Sequence, residues 1–177
     1  MVMDKNIHIF NNFLSKDDLG LAMNLIKSAN FESRRETTPY DQNLLASDTM
    51  PDELSQLLNK RYAEKYEEIQ SFYDFKIMKP KKYHYHVVHR NSAESNPIMG
   101  LHHDTYSDSG YAVSAVVYYN DDFEGGEIHF PNQNFTYSPK AGDLIVFLPT
   151  EEYAHEVLPV TSGVRYAGPF WFRHSLV

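Results

Sequence analysis

The sequence predicts an α+β fold in which helices stack outside a β-sandwich or barrel. Three observations predict it. Two apolar stripes at helical spacing fill the first part of the chain, up to about residue 75. From Lys76 onward the pattern changes to short alternating runs rich in β-branched and aromatic residues. Glycine- and proline-containing turns punctuate those runs. Helices first and strands afterwards is the α+β order. A chain of 177 residues with no internal repeat or low-complexity segment is expected to form one domain, 1–177. Its helical support is expected over about 1–75 and its β core over about 76–177.

Ile7 to Phe10 predicts a short strand, and Ser15 with Asp18 three residues on resembles a capping box in which Asp replaces Glu. Leu19, Ala22, Leu25, Ile26 and Ala29 follow at helical spacing, so a helix is expected from about Lys16 to Ala29. Ser33 to Thr49 is mostly polar and is expected to be a long loop or loose hairpin, a kind of segment that often serves as a binding loop or lid. Pro51 suits a helix start, and Leu54, Leu57, Leu58, Tyr62, Tyr66 and Ile69 make one stripe that packs on a sheet. Strands are expected at Tyr83 to Arg90, Tyr111 to Tyr119, Glu127 to Phe130, Leu144 to Leu148, His155 to Val160 and Val164 to Phe172. Gly125-Gly126, Pro139 to Gly142 and Thr161 to Gly163 supply turns between them.

Composition narrows the chemistry. With no cysteine, the chain has no disulfide, no iron–sulfur cluster, no thiolate zinc site and no cysteine nucleophile, so a metal must be held by carboxylates and the nine histidines. A net charge of -8 argues against a surface that tracks nucleic-acid phosphates, so a nucleic-acid partner is not expected. No apolar run is long enough to span a membrane and the N-terminal residues lack signal-peptide character, which predicts a soluble, cytoplasmic protein with no membrane partner.

One constellation carries chemistry. Residues i and i+2 of an extended strand project to one face, so His102 and Asp104 can reach one metal ion from adjacent corners. His155 from another strand completes a facial set of two histidines and one carboxylate, which leaves coordination positions open as a catalytic site requires. Arg165, ten residues further, offers a planar charged fork to the carboxylate of a small dicarboxylate. His84, His86 and His89 also alternate along a strand, but a lone histidine is more often a hydrogen-bonded packing residue than a ligand, and they are read first as structural.

The segment from Tyr85 to Trp171 resembles the catalytic core of iron(II)- and 2-oxoglutarate-dependent dioxygenases, in particular the prolyl 4-hydroxylase-like branch. The residues that carry the resemblance are Leu101-His102-His103-Asp104, Val116 to Asn120, Glu124 to Ile128 closing on Phe130-Pro131, Pro139 to Asp143, and His155 to Val160 ending at Gly163 to Tyr166. Phe13-Leu14-Ser15 also suits this family. The resemblance implies a double-stranded β-helix, a jelly roll of two antiparallel sheets with iron at its open mouth. It implies Fe(II) on His102, Asp104 and His155, 2-oxoglutarate as cosubstrate with its distal carboxylate on Arg165 and Tyr118, and O2 as oxidant. Trp171 shares strand parity with Arg165 and is expected on the same interior face. Family members commonly carry a Tyr shortly before the His-x-Asp motif; here Val88-His89-Arg90-Asn91 stands there, followed by an insertion from Ser92 to Met99, and either Tyr85 or His89 takes that role at the cosubstrate. The implied reaction hydroxylates an unactivated C–H bond, first of all in a prolyl residue of a peptide or protein, with succinate and CO2 as co-products. A free amino acid, a small metabolite or a nucleic acid would use the same iron site, and a non-catalytic cupin-like module that binds a metal or small acid is the alternative of a different class.

Overall fold

The computed structural model describes residues 4–31, 44–46, 49–81, 86–95, 99–105 and 110–175. β1 (His8–Phe10) leads into α1 (Lys16–Ser28). Ser15 caps α1 as a full capping box: its hydroxyl accepts from the Asp18 N–H, and the Asp18 carboxylate accepts from the Ser15 N–H at 2.8 Å. β2 (Leu44–Ala46) falls inside the segment expected to be a loop or hairpin, and its pairing with a later strand makes it part of the sheet. α2 (Asp52–Gln70) follows Pro51 and buries Leu54, Leu58, Tyr62 and Ile69, with Leu57 and Tyr66 at the margin of the stripe.

The remaining elements are β3 (Val87–Ser92), β4 (Tyr111–Tyr118), β5 (Glu124–Gly125), β6 (Ile128–Phe130), β7 (Phe135–Tyr137), β8 (Leu144–Phe147), β9 (Glu156–Val157), β10 (Val160–Ser162) and β11 (Val164–Arg173). A six-stranded antiparallel sheet runs β1-β8-β4-β11-β3-β2, faced by a three-stranded sheet β7-β6-β9 and a two-stranded one β10-β5. The expected strand from His155 to Val160 is two pieces. Pro159 cannot donate to a ladder, and its carbonyl instead accepts from the Gly126 N–H at 3.1 Å, so the chain leaves β6 and re-pairs with β5. Gly125 therefore belongs to a strand as well as to a turn, and the turn after β10 contracts from Thr161–Gly163 to Gly163.

Period-two alternation gives the large sheet two buried faces. Val113, Ala115 and Val117 of β4, Val146 of β8, and Phe170 and Phe172 of β11 face the helices, where the Tyr62 ring stacks on Phe170 with centroids 4.2 Å apart. Val116, Tyr118, Ile145, Phe147 and Ala167 face the smaller sheets, packing on Ile128, Phe130 and Phe135. Among the described residues, no helix is long and apolar enough to cross a membrane.

Candidate metal and dicarboxylate site

His102 and His155 meet as direct partners. They form an isolated antiparallel bridge, with His102 N–H to His155 C=O at 2.9 Å and His155 N–H to His102 C=O at 2.8 Å. The expectation that His102 and Asp104 lie on a regular strand is corrected here, because the segment makes a single bridge and then bends. What positions Asp104 is the carbonyl of Pro149, which accepts from the Asp104 N–H at 3.1 Å, the Thr105 N–H at 3.0 Å and the Thr105 hydroxyl at 2.7 Å.

His102, Asp104 and His155 each bring one ligand atom into a cluster whose members lie within 4.8 Å of one another. The surrounding hydrogen bonds decide which atoms face inward. His102 Nδ1 lies 2.8 Å from the Gly100 carbonyl and His155 Nδ1 lies 3.1 Å from the Tyr153 carbonyl. A carbonyl only accepts, so each Nδ1 carries the proton and each Nε2 keeps a lone pair, as a metal ligand requires. Ser114 Oγ donates to Asp104 Oδ2 at 2.6 Å, which leaves Oδ1 turned toward His102 Nε2, 3.6 Å away. His102 Nε2 is buried and finds no hydrogen-bond partner among the described residues. Burial, opposed by the Asp104 charge, pushes His155 down to about 4, so it is neutral at pH 7 and its lone pair is available. The rings of Phe130 and Phe147 stand 5.5 and 4.6 Å from that of His155 and keep water from it. An orphaned nitrogen, a second lone pair and a carboxylate oxygen on one point fit a divalent cation with nitrogen and oxygen ligands, Fe(II) among them.

The residues expected to hold a dicarboxylate lie on the sheet face that carries Ser114. Ser114 and Tyr118 are four residues apart on β4, about 13 Å along the strand, on one side of the pleat. Arg165 on β11 is only 3% exposed, and its Cζ stands 5.3 Å from the centre of the Tyr118 ring. Its Nη1 donates to Asn91 Oδ1 at 3.0 Å, but Arg165 Nε and the Tyr118 hydroxyl have no hydrogen-bond partner among the described residues. Burial draws the guanidinium below its ordinary value without discharging it, and pushes the Tyr118 phenol up to about 12 against the pull of Arg165. A buried cation and a neutral phenol, both with donors to spare, fit a carboxylate. Gly126 makes room for the arginine, since a Cβ there would lie 2.8 Å from Arg165 Cδ, and its φ of 69° also favours glycine.

The other expected residues divide. His89 is half-buried on β3, and its pairing with Ala167 places it on the face that carries Arg165. Tyr85 and His84 lie outside the described residues. His86 sits on the opposite face, 1% exposed, with Nε2 2.9 Å from Asn59 Oδ1 and its ring stacked on Phe170, a packing residue as expected. Trp171 lies opposite Ser114 on the inner face, packs on Val87 and stacks on Tyr111 at 5.5 Å. Ser114 and Asn91 were not among the sequence candidates. Parity could have found both, since Ser114 is the one polar residue in the run Tyr111–Tyr118 and Asn91 lies two residues beyond His89.

A family model described as the 2OG-Fe(II) oxygenase superfamily matches residues 81–173. A protein of Acanthamoeba polyphaga mimivirus provisionally named prolyl 4-hydroxylase is 33% identical over 98 residues, 44% of this chain and 40% of that protein. Prolyl 3-hydroxylase 2 of Homo sapiens is 42% identical over 64 residues, 33% of this chain and 9% of the human protein. The matched regions are thus a minor part of both relatives. Among solved structures, a prolyl-4-hydroxylase of Pseudomonas putida superposes with a TM-score of 0.72 at 23% identity, covering 96% of this chain and 93% of that one. The viral collagen prolyl hydroxylase of Paramecium Bursaria Chlorella virus-1, in its 2OG complex, gives a TM-score of 0.66 at 20% identity and covers 96% of each chain. At such identities the superpositions speak for the fold, which is the double-stranded β-helix with its helices on one sheet.

Proposed function

The chain belongs to the 2OG-Fe(II) oxygenase superfamily, and from that premise we propose that it hydroxylates a prolyl residue in a peptide or protein, acting as one domain, with succinate and CO2 as co-products. It is a 2-oxoglutarate-dependent dioxygenase of the prolyl 4-hydroxylase-like kind, with Fe(II) as its metal and 2-oxoglutarate and O2 as cosubstrates. The proposal assigns the metal to His102, Asp104 and His155, and the distal carboxylate of 2-oxoglutarate to Arg165 and Tyr118. His89 is assigned to the wall of the cosubstrate pocket on the strength of its register; the same role for Tyr85 stands as an alternative.

The observation that carries the reading is the convergence of two imidazoles and a carboxylate within 4.8 Å, each locked by a second hydrogen bond that turns its free atom inward. Bound Fe(II) supplies the activation of O2 that couples decarboxylation of 2-oxoglutarate to hydroxylation of a C–H bond. The chain's own share is orientation and exclusion of water. The Gly100 and Tyr153 carbonyls hold each imidazole in one tautomer, Ser114 keeps one oxygen of Asp104 occupied, and Phe130 and Phe147 dry the flank of His155. Arg165 and Tyr118 fix the far end of the cosubstrate, and with it the angle at which its other end approaches the metal ligands. No side-chain acid or base is required.

The prolyl preference rests on the relatives. Several proteins similar to this chain bear prolyl hydroxylase names, and a structural neighbour at TM-score 0.70 and 16% identity is a Trichoplax adhaerens prolyl hydroxylase in complex with a hypoxia inducible factor peptide fragment. The test is mass spectrometry of proline-containing peptides incubated with the protein, Fe(II), 2-oxoglutarate and O2. The expected result is one added oxygen on a prolyl ring and one succinate per hydroxylation. Vigorous succinate formation with a free amino acid or small metabolite, and none above background with any peptide, would overturn the peptide assignment.

A further inference from the structure

We infer that Asn120 is a positioning residue for the cosubstrate clamp: its side-chain amide replaces the strand missing on the β4 side of Arg165 and so fixes where the guanidinium stands. The inference rests on the assignment of Arg165 to the distal carboxylate of 2-oxoglutarate.

The need for such a residue comes from the topology. On one side, β11 is paired with β3 through Val164, Arg165, Tyr166 and Ala167, and Arg165 lies directly opposite Asn91. On the other side, its pairing with β4 ends at Ala167 opposite Tyr118. Beyond that point the main chain gives one last rung, from the Tyr119 N–H to the Tyr166 carbonyl at 3.1 Å. The stretch that carries Arg165 thus keeps β3 on one side but loses β4 on the other, at the position where a buried charged side chain must be aimed.

Asn120 closes the gap. Its Oδ1 accepts from the Tyr166 N–H at 2.8 Å and its Nδ2 donates to the Val164 carbonyl at 2.7 Å. Those groups belong to the residues immediately before and after Arg165, so one planar amide brackets the clamp as a paired peptide would. Nδ2 also donates to Asp122 Oδ1 at 2.5 Å, which uses both of its protons. The partners dictate the amide's orientation, because Val164 and Asp122 present acceptors and Tyr166 presents a donor. Asn120 is 8% exposed, so water does not substitute readily for these bonds. Asn91 holds the tip of the arginine through Nη1, whereas Asn120 holds its root.

Because Asn120 acts through Arg165, it should govern recognition of the distal carboxylate and not metal chelation. The test compares 2-oxoglutarate with 2-oxopentanoate, which has the same chain length and metal-binding end but a methyl group in place of the distal carboxylate. Both are titrated calorimetrically, without oxygen, into iron-loaded wild type, Asn120→Ala, Asn120→Asp and Arg165→Ala, with iron stoichiometry measured for each. In Asn120→Ala the preference for 2-oxoglutarate is expected to fall on the order of tenfold, the low end for one impaired charge-assisted bond, with iron content and 2-oxopentanoate affinity unchanged. Asn120→Asp turns a carboxylate toward Asp122 and the Val164 carbonyl, so its loss should be at least as large. Arg165→Ala should abolish the preference. If Arg165→Ala retains the preference, the clamp assignment fails and this inference with it. If Arg165→Ala abolishes it while both Asn120 variants keep it, Asn120 alone is wrongly assigned. Loss of iron, or an equal loss of affinity for both acids, in the Asn120 variants would mean that Asn120 supports the core at large, and would overturn the positioning role.

Discussion

Arg165 carries a charge at 3% exposure, a state that costs several kcal/mol unless the charge is paired. Asn91 and the Tyr118 ring supply dipoles but no negative charge, which is why the proposed clamp needs a carboxylate ligand. Lysine would keep the charge and lose the fork, so Arg165→Lys should weaken 2-oxoglutarate binding by about 1.5–3 kcal/mol, on the order of ten- to a hundredfold, with iron affinity unchanged. Tyr118→Phe removes one neutral donor and should cost nearer ~1 kcal/mol. Arg173 shares the strand but is exposed, with its Cζ over the Tyr111 ring at 5.6 Å, and Arg173→Ala should leave binding intact. Anaerobic titration of iron-loaded variants checks all three; weakened binding in Arg173→Ala but not in Arg165→Lys would relocate the pocket. The cluster of His102, Asp104 and His155 was legible in the sequence through the conjunction of their order, spacing and strand context, with Arg165 trailing. Ser114 and Asn91 were within reach of strand parity, whereas Asn120, two residues past the end of β4, gains its meaning only from the strand it bonds to.

At the scale of elements, α1 is fastened by a side chain with two tasks. Asp18 completes the capping box and also receives Arg61 Nη2 of α2, 2.8 Å from its Oδ2. Burial works to raise the Asp18 carboxyl, but the hydrogen bonds from Arg61 and Ser15 together outweigh it and hold the group below its ordinary 3.8. The folded state therefore binds this proton less readily than the unfolded chain. The contribution is complete above 3.8 and is lost as pH falls through the lower folded value. Asp18→Asn should cost about 1–2 kcal/mol at neutral pH and flatten the acid limb of stability below about pH 4, as read by denaturant unfolding across pH. An acid limb unchanged in the variant would mean that the pair contributes nothing. Both helices were visible in the sequence, α1 through its capping box and stripe and α2 through Pro51 and its stripe. β2, β5 and β7 were not expected as strands; what makes them strands is pairing with β3, β10 and β6, which the local sequence does not display.

Across the whole molecule, alternation sorts the histidines as well as the apolar residues. One face of the large sheet joins the helices into a dry core, and the other turns toward the smaller sheets and the site. His86 packs against the first face, bonded to Asn59 and beside the stacked rings of Tyr62 and Phe170, while His102 stands in the site toward which the second face turns. Sequence alternation showed that two faces exist, but not which one the helices cover; that follows from the pairing of strands far apart in the chain. The most direct measurement of the account is bound iron per folded chain in His102→Ala and His86→Ala, with stability recorded beside it. His102→Ala should lose iron binding, because a minimal three-ligand site tolerates no deletion. His86→Ala should lose about 2–5 kcal/mol of stability, as large-to-small core substitutions do, and its folded fraction should bind iron as wild type does. Iron retained in His102→Ala, or lost from well-folded His86→Ala, would contradict the assignment of the metal centre.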